Sequence, residues 1–149
     1  MADHFADSLA RLAEVMADAR DPWWIIGSAA VKLLGGEPGR IADIDVIVSR
    51  CDLEALYQRI PLRDARDAGK AIFRSERFGL WNAPELPIEF MAGLEVLNEG
   101  SWLKVQPQTR QQIFTRNTAL YVPEAAEMIG ILISFGRDKD YRRAATLSG

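Results

Sequence analysis

The sequence predicts a single α/β (α+β) domain, residues 1–149, in which helices pack on a mixed β-sheet. Apolar stretches of strand length are interspersed with amphipathic stretches at helical spacing, a pattern typical of a sheet covered by helices. The stretches 71–81 and 86–91 have no helix between them and are close enough to pair antiparallel. A chain of 149 residues with 48% hydrophobic content is long enough for one core but short for two.

The first sixty residues contain three predicted helices and two predicted strands. Apolar residues at helical spacing, with charged residues between them, predict an amphipathic helix at the start of the chain. Ser28 and Asp52 are each expected to cap a later helix. Gly35 is expected to end the second helix, and Pro61 the third. The helices are predicted over about 3–19, 28–34 and 52–60, and the strands over 23–26 and 41–48.

The second half is predicted to contain strands followed by two helices. The polar stretch "RDARDAGK" predicts a loop, and the turn around "NAPE" separates two strands. Two weaker strand candidates follow. Pro123 is expected to stand at the start of a strongly apolar helix, which Gly136 ends. The strands are predicted over 71–81, 86–91, 100–106 and 118–123, and the helices over about 123–135 and 138–147.

Composition excludes several classes of protein. The net charge of −3 gives no global electrostatic case for extended nucleic-acid binding. A single cysteine, Cys51, excludes an intramolecular disulfide and a cysteine-rich metal cluster, and it favours a reduced, cytoplasmic location. The N-terminus lacks the features of a signal peptide, and no window of 18 apolar residues predicts a membrane span.

Two aspartates stand one residue apart inside the second predicted strand. Because side chains alternate along a strand, Asp43 and Asp45 face the same side, about 6–7 Å apart at their Cα atoms. Two such carboxylates repel each other unless a positive charge lies between them, and Mg²⁺ accepts one or two carboxylates together with substrate phosphates. A solvent-exposed strand end, with both acids merely solubilising, is the alternative.

A third acid, Glu89, is also flanked by apolar residues on a predicted strand. It could be an edge-strand charge facing water. If its strand lies beside the strand of Asp43 and Asp45, however, the three carboxylates form a cluster that can hold two metal ions for in-line phosphoryl displacement.

The dipeptide Gly27-Ser28 lies between the first strand and the second helix. Glycine lets the backbone approach a ligand closely, and the start of a helix presents free N–H groups that suit phosphate oxygens. A capped helix after a strand is the common alternative.

Several basic residues could contact the phosphates of a nucleotide. Arg40, in the loop that leads to the acids, is the preferred candidate, and Lys139 is the second. Arg137, Lys139 and Asp140 could equally form a structural ion-pair cluster. Trp81, beside a turn, is the tryptophan best placed for a ligand contact.

Together these elements resemble the DNA-polymerase-β-like nucleotidyltransferase superfamily. The signature there is Gly-Gly or Gly-Ser, a gap of about a dozen residues, two acids one residue apart, and a later third carboxylate. Gly27, Ser28, Asp43, Asp45 and Glu89 match it. The stretch "GRDKDYRRAATL" resembles the end of small stand-alone bacterial members. The resemblance implies a mixed sheet with helices on one side, bound Mg²⁺ or Mn²⁺ and NTP, and transfer of a nucleoside monophosphate. Asp43 and Asp45 would be the metal ligands, and Glu89 a ligand and base.

The sequence departs from the pattern of that superfamily at three places. The third acid is glutamate rather than aspartate. The helical stretch "MIGILISF" lacks the lysine that relatives often carry there. Arg142 and Arg143 occupy the region in which relatives have an acid after the Lys-Asp pair.

The resulting hypothesis is a metal-dependent nucleotidyltransferase that acts on a hydroxyl of a small molecule, protein or RNA. The alternative is a catalytically inactive nucleotidyltransferase-fold binding or regulatory protein, such as a toxin–antitoxin component. A third is a dimeric interaction protein whose acids are incidental. The acidic charge and the single domain favour a small acceptor, or a partner protein that completes the site. The apolar content of a small domain is also compatible with a homodimer, although no stretch identifies its interface.

Overall fold

The computed structural model describes residues 3–65 and 71–148, which form five helices and nine strands. The predicted loop 63–70 lies mostly outside the described residues. The helices are α1 (His4–Val15), α2 (Gly27–Leu33), α3 (Arg50–Arg59), α4 (Ala125–Phe135) and α5 (Asp138–Leu147). The strands are β1 (Trp24–Ile26), β2 (Ile44–Ile47), β3 (Phe73–Arg74), β4 (Arg77–Trp81), β5 (Ile88–Ala92), β6 (Glu95–Asn98), β7 (Ser101–Lys104), β8 (Gln111–Thr115) and β9 (Thr118–Val122).

The central sheet has four strands in the order β1-β2-β5-β4. β2 and β5 are parallel, while β1 and β4 are antiparallel to their neighbours. The mixed α+β architecture predicted from the sequence is therefore confirmed. Two smaller sheets, β3-β6-β7 and the hairpin β8-β9, complete the fold.

One face of the central sheet carries the main hydrophobic core. Ile44, Val46, Ile88 and Phe90 alternate onto this face and are fully buried. Helix α3 packs there, since a Cβ atom added to Gly79 of β4 would lie 3.3 Å from the Leu53 side chain. The opposite face of β2 and β5 is left open enough to carry polar side chains.

The second predicted strand is shorter than expected. β2 begins at Ile44, whose N–H donates to the carbonyl of Pro87 at 2.9 Å. Pro87 has no N–H to return, so the ladder stops there. Asp43 therefore lies one residue before the strand instead of within it.

The predicted strand 71–81 was wrong as one element. It divides into β3 and β4, which belong to different sheets, and the N–H of Glu76 between them donates to Ala92. β6 and β8 are strands that the sequence did not predict, because each contains only two consecutive apolar residues between polar ones, Val96-Leu97 and Ile113-Phe114.

Two predicted helix caps were also wrong. The N-cap of α3 is Ser49, whose hydroxyl accepts from the N–H of Asp52, and the buried Asp52 carboxylate instead accepts backbone N–H groups of Arg20 and Asp21. α2 begins at Gly27 with no side-chain cap, so Ser28 lies in its first turn. The αL cap of α4 at Gly136 was predicted correctly.

No helix among the described residues is long and apolar enough to cross a membrane.

Candidate active site

Three carboxylates meet on the open face of the central sheet. Asp45 of β2 and Glu89 of β5 are direct register partners in the parallel pair. Asp43 lies two residues before Asp45, and one oxygen from each of the three groups lies within 4.8 Å of the others. All three side chains are half-buried. The sequence alone does not establish that β2 lies beside β5. This pairing is what brings the three acids together.

Gly27 brings the backbone close to this cluster. Its φ of +70° is a left-handed conformation that favours glycine. A Cβ atom added here would lie 3.1 Å from Oδ2 of Asp45. The strand β1 runs antiparallel to β2 with Ile26 opposite Asp45, so the turn into α2 leaves the sheet beside the start of β2. Glycine at this position keeps space free for the Asp45 carboxylate.

The donor set of Asp43, Asp45 and Glu89 fits a hard divalent cation. All the ligand atoms are carboxylate oxygens, which Mg²⁺ and Mn²⁺ prefer. The close grouping of three carboxylates carries a large negative potential that such a cation would neutralise. These residues are therefore suited to the metal ions that the sequence resemblance implies.

A cavity of about 400 Å³ opens above the acids. Gly27, Ser28 and Arg40 line it near the start of β2, together with Arg143 and Lys139 of α5. All the residues proposed from the sequence as catalytic, metal-binding or nucleotide-binding are thus among the residues that line one cavity. They are Gly27, Ser28, Arg40, Asp43, Asp45, Glu89 and Lys139.

Arg143 is a cationic residue of the cavity that sequence reasoning did not propose. Its Nε donates to the carbonyl of Pro38 at 2.7 Å, and its Nη2 to the carbonyl of Arg40 at 3.2 Å. Burial lowers the pKa of Arg143, and the neighbouring Arg137 lowers it further, whereas Asp140 and Asp45 raise it. Arg143 thus ties α5 to the loop before β2. In the sequence, Arg142 and Arg143 are distinguished only by their departure from the superfamily pattern.

Arg137 and Asp140 form the structural ion pair that was one of two open interpretations. The Asp140 carboxylate is fully buried and accepts from Nε of Arg137 at 2.6 Å and from Nη2 at 3.0 Å. The backbone N–H of Arg137 donates to the same carboxylate, which thereby caps the start of α5. Lys139 is exposed and lines the cavity, and it is not part of this ion pair.

Trp81 does not reach the cavity, and the expectation that it contacts a ligand was wrong. Its side chain is 3% exposed, packed in the core, with the guanidinium of Arg11 at 4.9 Å from the ring. Aromatic side chains do line the cavity, but they are Phe73, Phe78 and Phe135. Nothing in the local sequence around these phenylalanines distinguishes them from core residues.

No family model and no curated protein matches the sequence. Solved structures do match the fold. A candidate nucleotidyltransferase from Thermotoga maritima superimposes with a TM-score of 0.67 at 17% identity, over 87% of this chain and 83% of that one. The lincosamide antibiotic adenylyltransferase LnuA, in a lincomycin-bound structure, superimposes with a TM-score of 0.61 at 12% identity, over 95% of each chain.

The antibiotic-resistance factor ANT(2'')-Ia is a further similar structure. In complex with adenylyl-2''-tobramycin it superimposes with a TM-score of 0.55 at 15% identity, over 95% of this chain and 89% of that one. Matches at such low identity establish the architecture, and the site is judged from its own geometry. The chain has the nucleotidyltransferase fold, as the resemblance in its sequence implies.

Proposed function

We propose that this protein is a metal-dependent nucleotidyltransferase, which moves a nucleoside monophosphate from NTP to a hydroxyl acceptor and releases pyrophosphate. The observation that carries the proposal is the meeting of Asp43, Asp45 and Glu89 within 4.8 Å, beside Gly27, in a cavity of a nucleotidyltransferase fold. The similar solved structures include a lincosamide antibiotic adenylyltransferase and an antibiotic-resistance factor.

Asp43, Asp45 and Glu89 would hold Mg²⁺ or Mn²⁺. When bound, these ions neutralise phosphate charge and bring the reacting oxygens together. The chain itself contributes binding, orientation and a base. Ser28 can donate its hydroxyl to a phosphate oxygen, and Arg40 and Lys139 can balance the charge of the polyphosphate. Glu89 can accept the proton of the acceptor hydroxyl at its carboxylate.

Arg143 supplies a cation in place of the lysine that relatives often carry in the helix before the "GRDKD" stretch. Helix α4 carries no lysine along Ala125–Phe135. Arg143 instead brings a guanidinium to the cavity from α5 while holding the loop of Arg40 by its carbonyl. A guanidinium presents several N–H donors in a planar fork, which suits phosphate oxygens. The absent lysine therefore does not leave the polyphosphate without cationic partners.

Binding of NTP with Mg²⁺ tests the proposal. Nucleotide that binds only the folded protein raises its stability by about 2.7 kcal/mol at a concentration of 100 Kd. We expect one or more of the four NTPs to raise Tm in the presence of Mg²⁺ or Mn²⁺, and the double variant Asp43→Asn, Asp45→Asn to lose this shift. Asp18→Asn with Asp21→Asn is the matched control, because both acids are exposed and lie outside the cavity.

An undiminished shift in the Asp43→Asn, Asp45→Asn variant would remove these acids from the nucleotide site. Nucleotide binding without pyrophosphate release, across a broad panel of acceptors, would favour the alternative of an inactive binding or regulatory protein. No effect of any NTP on the wild-type Tm would overturn the proposed function.

A further inference from the structure

The cavity has two chemically different ends, separated by the three acids. Gly27, Ser28, Arg40 and Arg143 lie at the end where β2 begins. The other end lies beyond Glu89 along β5. Its lining is formed by aromatic and aliphatic side chains from four elements and one loop: Phe73, Phe78, Met91, Leu94 and Phe135. We call this second set the aromatic wall.

The aromatic wall contains two neighbouring pairs of apolar side chains, Phe78 with Met91 and Phe73 with Phe135. Met91 follows Glu89 by two residues, so both face the cavity, and Phe78 of β4 is the register partner of Met91. Above them, the rings of Phe73 and Phe135 meet edge to face with centroids 4.9 Å apart. Phe73 is half-buried, whereas Phe78, Met91 and Phe135 are each less than 10% exposed. Such a surface can pack against a flat apolar group.

The charged side chains that line the cavity at this end are two arginines, Arg74 and Arg137, which are paired with Glu95 and Asp140 outside the lining. The guanidinium of Arg137 lies 5.2 Å from the ring of Phe73, and Arg74 adjoins Phe73 along β3. Among the described residues, the only carboxylates that line the cavity are Asp43, Asp45 and Glu89, which the metal ions would occupy. No spare carboxylate is left there to neutralise ammonium groups of an acceptor.

The reaction geometry assigns the aromatic wall to the acceptor, given the proposed function. In an in-line transfer, the attacking hydroxyl and the departing pyrophosphate lie on opposite sides of the α-phosphorus. Arg40 and Arg143 lie with Ser28 at the end of the cavity where β2 begins, which has no aromatic lining in the part of the chain that the structure describes, so the pyrophosphate belongs there. The acceptor must then approach from the opposite end, along the aromatic wall.

We propose that the acceptor is a small aromatic molecule with a hydroxyl group and a neutral or negative charge, and that it binds against the aromatic wall. Its oxygen forms a bond to the α-phosphorus of NTP as the bond from that phosphorus to the bridging oxygen of pyrophosphate breaks. The hydroxyl proton passes to Glu89 and on to solvent. A polyamine acceptor is disfavoured, because its ammonium groups would face Arg74, Arg137 and the metal ions.

Binding of three probes to the full chain, with saturating Mg²⁺ and without nucleotide, tests this inference. The probes are 2-naphthol, its anionic analogue 2-naphthol-6-sulfonate, and the polyamine tobramycin. We expect both naphthols to bind and tobramycin not to bind, by fluorescence and calorimetry. Phe73→Ala should weaken the binding of both naphthols about three- to tenfold, since it removes an aromatic contact. The matched control Phe114→Ala, 68% exposed and outside the cavity, should leave binding unchanged.

A second variant tests the contribution of the Arg74 charge separately from the aromatic contact. Arg74→Gln should weaken the sulfonate about tenfold and leave neutral 2-naphthol nearly unchanged, as expected for one charge-assisted contact. Arg116→Gln is its control, because both arginines are about half exposed and each pairs with one carboxylate, Glu95 or Asp7. Equal effects of the two substitutions would overturn the proposed role of Arg74.

The remaining outcomes separate the acceptor from the nucleotide. If Phe73→Ala weakens the binding of NTP with Mg²⁺ and leaves the naphthols unaffected, the aromatic wall belongs to the nucleotide and the inference is overturned. Tighter binding of tobramycin than of the naphthols overturns it as well. Failure of the proposed function has a different signature, namely no metal-dependent NTP binding to the wild type. Formation of a naphthyl nucleotide ester from NTP and 2-naphthol, detected by mass spectrometry, would support both.

Discussion

Replacing Gly27 by alanine should damage the candidate site far more than the fold. The added Cβ would lie 3.1 Å from Oδ2 of Asp45, whereas ordinary contact begins at 3.4 Å, so the carboxylate has to move by about 0.3 Å. The φ of +70° adds about 1–2 kcal/mol of backbone strain, and a reduced entropy of the unfolded chain offsets about 0.4–1 kcal/mol of it. We expect a net loss of about 1 kcal/mol in the free energy of unfolding.

The displaced carboxylate should weaken metal-dependent nucleotide binding about 10- to 100-fold, as substitutions beside metal ligands commonly do. Gly100→Ala is the matched control, since Gly100 has a φ of +80° with no atom within 4 Å of an added Cβ. Urea denaturation gives the stability of both variants, and calorimetry with Mg²⁺ and a non-hydrolysable NTP analogue gives the Kd. The reasoning would be refuted by an unchanged Kd in Gly27→Ala, or by equal weakening in Gly100→Ala.

Substitutions at three further residues test separate parts of the structure. Glu127 accepts three hydrogen bonds from the segment before β8, and although burial raises its pKa, these bonds outweigh burial and lower it from 4.5. Its stabilising effect is therefore complete above about pH 4.5 and is lost as the pH falls through the folded pKa. Glu127→Gln should lower the free energy of unfolding by about 1–3 kcal/mol at pH 7 and by less at pH 3. Urea denaturation at both pH values measures the difference. Asp52→Ala leaves two backbone N–H groups after α1 without their acceptor. It should lower the free energy of unfolding by a similar amount and leave the Kd for nucleotide unchanged. Arg143→Met should weaken NTP binding about tenfold, because it removes the guanidinium. Arg143→Lys keeps the charge and should weaken binding less. Calorimetry measures both Kd values.

The sequence singled out residues that the structure brings together, but it predicted the sheets less well. Asp43, Asp45 and Glu89 could be found because acids inside apolar strands are rare and their spacing resembles a superfamily signature. Their meeting depended on β2 lying beside β5, which is a tertiary pairing that no local pattern encodes. The resemblance, and not the strand pattern, was what made that pairing an expectation.

The features that the sequence missed share a physical cause. The division of 71–81 into β3 and β4 follows from a change of sheet at Ser75 and Glu76, within the polar run 74–77 that the prediction treated as continuous strand. Arg143 acts through carbonyl groups more than a hundred residues earlier in the chain, a contact that only the folded structure brings about. The aromatic wall was invisible because phenylalanines that line a cavity have the same local pattern as phenylalanines in a core.

The central claim, that Asp43, Asp45 and Glu89 form a metal-dependent nucleotide site, is tested most directly by a crystal structure with Mn²⁺ and a non-hydrolysable NTP analogue. We predict an anomalous manganese peak about 2.0–2.3 Å from carboxylate oxygens of these residues, with the polyphosphate extending toward Ser28 and Arg40. A peak bound elsewhere, or a polyphosphate that avoids this cavity at saturating concentration, would contradict the account.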